Sequence, residues 1–293
     1  MKLWIVVNHF LRNNKFIELE KCFAKAAINN DIQYEIVTNS ECLSGLTCNG
    51  ISTGIIPDDG NPILFWDKDI MLARCLEKNG HRLYNPSNAI EICDNKLLTA
   101  VTLAKSNITM PLTIPAPMTY SNVGYNDISF LNQAMELLDY PLIVKEGFGS
   151  FGAQVYIARN FEELVSITSD ISYPFLLQEY IASSHGKDIR LQVVGDKVVA
   201  AMYRYSDNDF RANITNGGKM KAYHANDKQA ELAVKCCKEL GLDFAGVDIL
   251  FGDNDEPVLC EVNSNAHFKN IDDCTGSDVA DEIIKHIIMT YNS

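Results

Sequence analysis

No apolar run in the chain is long enough to cross a bilayer. The longest early stretch, Leu3-Trp4-Ile5-Val6-Val7, gives way at once to Asn8 and His9, far short of the roughly 20 residues a spanning helix needs. It is also too short for a signal-peptide core, so a soluble cytoplasmic protein is expected. Proline is scarce, at 9 of 293 residues, and no internal repeat appears, which excludes collagen-like and low-complexity chains. No two of the nine cysteines stand at C-x-x-C spacing, so neither a zinc ribbon nor a thiol–disulfide motif is present and reduced thiols are expected. Positive charge is in deficit: 25 Lys and Arg against 38 Asp and Glu give −13, a surface that repels nucleic-acid phosphates and disfavours DNA binding. What remains is ordinary globular material, 47% hydrophobic and 22% charged, in a length that implies two or three packed units.

The opening reads strand, helix, strand: Leu3 to Val7, Phe16 to Ile28 at helical spacing, then Tyr34 to Val37, the order of an α/β unit. Ile63 to Trp66 adds a buried strand, and Asp69 to Asn79 a helix with Gly80 past its end. Asn85-Pro86-Ser87 breaks the chain, and a boundary is expected near residue 90. Asn88 to Ala104 fits one helix or a pair, whereas the prolines of Met110 to Pro117 demand extended backbone. Asn160 to Ile167 is a helix capped by Asn160. Asn226 to Leu240 is an amphipathic packing helix, capped by Asn226 with Gln229 three on and closed by Gly241.

Three constellations carry chemistry. Gly147-Phe148-Gly149-Ser150-Phe151-Gly152 matches G-x-G-x-x-G, but Val155-Tyr156-Ile157 behind it read as a strand, whereas a dinucleotide fingerprint must open a helix. A loop between strands is expected, able to fold over phosphates, with Lys145 as a nearby point charge. Asp188, Arg190 and Gln192 alternate with Ile189, Leu191 and Val193, presenting an acid, a guanidinium and an amide on one sheet face. A turn at Gly195-Asp196 leads back through Val198 to Arg204. Gly246 to Phe251 and Pro257 to Asn263 form a hairpin. Centred between Asn254 and Asp255, it sets Asp248 opposite Glu261, with Asn263 on the same face. Two carboxylates and an amide together suit Mg²⁺. Asp209-Phe210-Arg211-Ala212-Asn213 adds an arginine and an asparagine suited to a transferring phosphoryl group.

In identity, order and spacing, Asp94-Asn95-Lys96, Pro141 to Lys145, Gln178-Glu179-Tyr180-Ile181, Asp188-Ile189-Arg190, Asp209 to Asn213, Ala245 to Ile249 and Glu261-Val262-Asn263 resemble the ATP-grasp superfamily, and within it the RimK-like glutamate ligases. The resemblance implies an α/β (α+β) ATP-grasp fold behind a Rossmann-like domain. Residues 1–90 would form the N-terminal α/β unit, 91–181 the central subdomain with its glycine-rich lid, and 182–293 the C-terminal subdomain. The implied activity is an ATP-dependent carboxylate–amine ligase of acid–amino acid type, working through an acyl phosphate with ATP and Mg²⁺ or Mn²⁺. Its partners would be a carboxylate donor such as glutamate and an amine-bearing peptide, protein tail or small molecule; a homo-oligomer stays open. The alternatives are an ATP-grasp enzyme of amino acid or peptide natural-product biosynthesis with another donor acid, and a nucleotide-binding protein without turnover.

The resemblance also assigns roles. Lys96 and Lys145 would contact the ATP phosphates beneath the lid, with Gly149 and Ser150 at its centre. Gln178, Glu179, Tyr180 and Ile181 would hold adenine, and Asp188 the ribose. Arg211 and Asn213, with Lys145, would serve the γ-phosphate and acyl phosphate, while Asp248, Glu261 and Asn263 bind the metal. Arg190, Arg204 and His267 are candidates for the substrate. Where the family usually continues with a Ser-Pro-Gly turn, this chain reads Ser264-Asn265-Ala266-His267-Phe268-Lys269-Asn270, which leaves the identity of the acid open.

Overall fold

In the computed structural model, which describes residues 1–149, 152–214 and 217–291, the strand–helix–strand opening is β1 (Lys2–Val7), α1 (Asn14–Asn29) and β2 (Gln33–Thr38). A hairpin of β3 (Ser44–Thr47) and β4 (Gly50–Thr53) follows, then β5 (Ile63–Trp66), α2 (Ile70–Lys78) and β6 (Leu83–Tyr84). The long strands pair in parallel in the order β2-β1-β5-β6. Asp69 caps α2 through Leu72 N, and Gly80 leaves it at φ 91. The expected helix after the break is a pair, α3 (Ser87–Asp94) and α4 (Lys96–Leu103), divided where the Asn95 side chain caps the second.

The second sheet follows: β7 (Thr113–Pro115), α5 (Ser129–Ala134), β8 (Leu142–Glu146), β9 (Val155–Ala158), α6 (Phe161–Ser169) and β10 (Phe175–Glu179), antiparallel in the order β7-β10-β8-β9. The third comprises β11 (Lys187–Val194), β12 (Lys197–Tyr205) and β13 (Lys219–Ala222), then α7 (Asp227–Leu240), β14 (Phe244–Phe251) and β15 (Pro257–Asn263), in the order β13-β12-β11-β14-β15. Helices α8 (Lys269–Thr275) and α9 (Val279–Tyr291) complete the order. Gly276 closes α8 at φ 75, and α9 begins three residues later. The capping box on α7 is present as expected, Asn226 and Gln229 each bonding the other's backbone.

Alternation decides which face is buried. Ile189, Leu191 and Val193 of β11 join Val247, Ile249 and Phe251 of β14 in a core under α7, leaving the intervening polar residues on the opposite face. A second core unites the first and third sheets: Leu3, Ile5, Leu19 and Phe23 pack with Phe244, Phe268, Ile283, Ile284 and Ile287. Asn85, read from sequence only as part of a chain break, clamps them. Its Nδ2 donates to the Phe244 and Ser264 carbonyls, and its Oδ1 accepts from Asp243 N and Phe244 N. Among the described residues all nine cysteines are free and no helix is long and apolar enough to cross a membrane.

The half-buried Asp272 gives this region a pH dependence. Burial chiefly, with nearby Asp278 and Asp273, raises its carboxyl to about 6, against Lys269 and a hydrogen bond from Val279 N. Because the folded state holds a proton that the unfolded chain has given up, stability falls as pH rises from the ordinary carboxylate range to about 6. Asp272→Asn is expected to be more stable than wild type at pH 7.5 by about 1 kcal/mol after discounting for solvent screening. The two should converge at pH 4 in urea melts; an equal gap at both values would rule the carboxyl out as the cause.

Candidate functional site

Between the second and third sheets lies an open cleft, the kind of concave, partly apolar place in which ligand sites form. Its apolar wall comes from Ile143, Val155, Ile181, Phe210 and Leu250, and its polar floor from Lys96, Lys145, Asp188, Arg204, Asp248 and Glu261. Gly149, Gln178, Glu179, Tyr180, Arg211 and Asn213 also line it. Thus most residues singled out by sequence meet here. Ser150 lies outside the described residues, while Asn263, Arg190 and His267 stand apart from this cleft.

The hairpin reaches its expected pairing by an unexpected route. Phe251 pairs with Pro257 and Ile249 with Leu259, which centres the turn on Asn254; a bulge then shifts the register so that Asp248 faces Glu261 and Gly246 faces Asn263. Without the extra residue Asp248 would oppose Cys260. The bulge turns both Cys260 and Glu261 toward the cleft, the local re-aiming that bulges supply. Asn254 and Asp255 take the left-handed turn, at φ 54 and 61, a conformation their short polar side chains tolerate.

Charge on the floor is arranged as a ladder. Arg204, 3% exposed, grips Asp188 with Nε and Nη2 at 2.6 and 2.7 Å and reaches Asp248 Oδ2 at 3.0 Å. Arg190 donates to both oxygens of Asp248 at 2.6 Å. Burial works against the Asp248 charge, but the two guanidiniums outweigh it and hold its carboxyl below the usual range. Asp188, gripped by one guanidinium alone, is instead pushed up by burial. Arg204 itself is held charged, the two acids outweighing the cost of its burial. Arg190 and Arg204 therefore neutralise the acids of the floor rather than projecting freely toward a substrate.

The cations named for phosphate are held by the lid. Lys96 Nζ donates to the Gly149 carbonyl at 2.9 Å and lies 3.4 Å from Glu261 Oε1. Arg211 donates to the Gly152 carbonyl at 2.6 Å while Asp209 accepts from its Nε and Nη2 at 3.1 and 2.8 Å. Gly152, at φ 71, sits so close to Asn213 that a Cβ would fall 2.7 Å from its Oδ1. Two loop carbonyls thus take up cationic donors of the kind that suit an anionic oxygen. The ammonium of Lys145, a residue 8% exposed, has no hydrogen bond or ion pair among the described residues. At the Gln178–Glu179 edge Gln178 Nε2 donates to Thr113 Oγ1 at 2.8 Å and Glu179 Oε2 accepts from Leu112 N at 3.1 Å.

His267 packs away from the cleft, its Nε2 3.3 Å from the Lys15 carbonyl, and burial lowers its pKa. Lys269 pairs with Asp273. The loop they belong to is tied to the first sheet, Asn265 Nδ2 donating to the Phe65 and Asp67 carbonyls at 3.1 and 3.4 Å. Sequence reasoning missed Cys260, Gln154 and Lys187 of the cleft wall, none of which sits in a motif.

A sequence model of the RimK-like ATP-grasp domain matches residues 93–287. The chain is 31% identical to N-acetylaspartylglutamate synthase A of Homo sapiens over 294 residues, covering 95% of this chain and 74% of that one. It is 36% identical to beta-citrylglutamate synthase B of Danio rerio over 217 residues, or 73% of this chain and 52% of the other. In structure it is similar to a RimK-domain ATP-grasp protein of Sphaerobacter thermophilus, with a TM-score of 0.72, 16% identity and coverage of 98% and 99% of the two chains.

Proposed function

Because the chain belongs to the RimK-like ATP-grasp family and is an ATP-dependent ligase of carbon–nitrogen bonds, we propose that it joins a small carboxylic acid to the amino group of glutamate. The two synthases named above are called after an acyl group carried on glutamate, which favours glutamate as the amine-bearing partner here. The observation that carries the reading is the cleft itself, where apolar side chains share one lining with Lys96, Lys145, Arg211 and Glu261.

In this reading residues 1–90, 91–181 and 182–293 are the three units of the fold, adenine lies along Gln178 to Ile181, and the phosphates replace the Gly149 and Gly152 carbonyls on Lys96 and Arg211. Lys145 adds its ammonium to the same charge. The acid's carboxylate oxygen attacks the γ-phosphorus, the bond to ADP breaks, and Arg211 and Asn213 steady the charge that spreads over the transferred oxygens. The glutamate nitrogen then attacks the acyl carbon, phosphate leaves with the C–O electron pair, and the amine proton passes to solvent or phosphate.

The donors present fit a hard divalent cation: among the described residues Glu261 pairs only with Lys96, Asp248 adjoins it across the ladder, and Asn263 stands one row along the same face. An all-oxygen set of this kind suits Mg²⁺ or Mn²⁺, which would neutralise phosphate charge.

The test incubates the protein with ATP, Mg²⁺, ¹⁵N-glutamate and a panel of carboxylic acids. ADP release matched by a condensation product that keeps the label is expected. No product from any acid would end the proposal, and glutamyl hydroxamate formed from glutamate, ATP and hydroxylamine alone would make glutamate the activated acid instead.

A further inference from the structure

Beside the nucleotide cleft, the face that carries the ladder continues one step along the strands. Gln192 of β11 pairs with Gly246 of β14, and Gly246 pairs with Asn263 of β15. These three positions form one row, parallel to the row of Arg190, Asp248 and Glu261. The middle position carries no side chain, and a Cβ there would collide with the Ala266 methyl and come 3.5 Å from Gln192 Oε1 and 3.7 Å from Arg190 Cδ. The row is thus a shallow trough that the Ala266 methyl fills, with an amide at either end, Arg190 along one side and the Ser264-to-Asn270 loop above.

The polar groups of this trough are unmatched. Gln192 is 0% exposed, yet neither Nε2 nor Oε1 has a partner; Asn263 Nδ2 and Asn265 Oδ1 are also buried and unpartnered. Three of the nine such atoms among the described residues belong to this one row. Buried amides are normally bonded, and a cluster that is not calls for an explanation in terms of a ligand or a rearrangement. An apolar residue would fill the Gln192 position without this cost, since Val194, Phe244 and Phe268 pack a few residues away in an unbroken core.

We propose that Gln192 is a specificity-determining residue, its amide and the Asn263 Nδ2 receiving a carboxylate oxygen of the amine-bearing substrate when Ala266 lifts from Gly246. The chemistry follows from the groups that converge. Two amide N–H donors suit an anionic oxygen, and Gln192 Oε1, the amide atom nearest Gly246, remains to accept from an ammonium or amide hydrogen of the same ligand. Asn263 serves both sites, with Oδ1 toward the cation and Nδ2 toward the trough. The substrate class rests on the reading of the preceding section; the trough does not.

The experiment compares wild type with Gln192→Met, which keeps length and volume and removes the amide. Gln192→Asn, which keeps polarity but loses reach, is made alongside in case the first fails to fold. Each is saturated with a non-hydrolysable ATP analogue and Mg²⁺, and thermal shifts and calorimetric affinities are read for the twenty amino acids. An amino acid whose affinity falls at least tenfold in either folded variant, with analogue affinity unchanged, supports the subsite. If that amino acid is not glutamate, the subsite stands and the glutamate reading falls. Equal affinities in wild type and variants, or no amino acid bound by wild type, overturns the subsite and leaves the amide to a structural water.

Discussion

Arg204→Leu is expected to lower stability by about 3–5 kcal/mol, the usual consequence of removing one partner of a buried ion pair. The guanidinium is the cation shared by Asp188 and Asp248. Without it two buried carboxylates share one face, and Arg190 reaches only the second of them. The loss should show as a lower urea midpoint with an unchanged slope, and it should shrink at acid pH as Asp188 takes up a proton. Arg204→Lys should fall between, because an ammonium keeps the charge but cannot span two carboxylates with a planar fork. A loss below about 1 kcal/mol for the leucine variant would mean that solvent in the cleft already screens the ladder.

Glu261→Gln is expected to lower turnover by about 10²–10³-fold, the scale on which single preorganised electrostatic groups act, while leaving stability within about 0.5 kcal/mol. The carboxylate is 31% exposed and its one ion pair among the described residues, to Lys96, is 3.4 Å long, so the fold does not lean on it. Asp248→Asn tests the proposed metal site less cleanly. Both Asp248 oxygens accept from guanidiniums, and neutralising that carboxyl should weaken folding and catalysis together. Mn²⁺ titration followed by electron paramagnetic resonance, in the presence of ADP, separates the cases: Glu261→Gln should bind the ion at least tenfold more weakly than wild type. Unchanged Mn²⁺ affinity would remove Glu261 from the ligand set.

The sequence carried the site's inventory further than its wiring. Alternation in β11, β14 and β15 announced which residues share a face, because a period of two is written in the order of apolar and polar residues. The α7 cap was equally plain, since its two halves stand three residues apart. The bulge at Cys260 left no such mark, because an inserted residue alters pairing without altering composition. Nor could local patterns show that Arg190 and Arg204 neutralise Asp248 and Asp188, since each bond spans two strands. Asn85 was hidden for the same reason: its partners lie about 160 and 180 positions away. The β3–β4 hairpin, short, largely exposed and rich in Gly, Ser and Thr, offers too little apolar periodicity to announce itself, and α5 is only six residues long.

Leu3, Ile5 and Phe23 complete their packing against Ile283, Ile284 and Ile287 of α9, and Asn30 Nδ2 donates to Asp281 at 2.7 Å. On a ribosome, β1 and α1 must therefore wait for α9, whose Asp281 follows Asn30 by 251 positions, before their apolar side is covered. Vectorial synthesis would leave that side bare while the intervening chain is made, an interval in which chaperones decide between soluble and aggregated product.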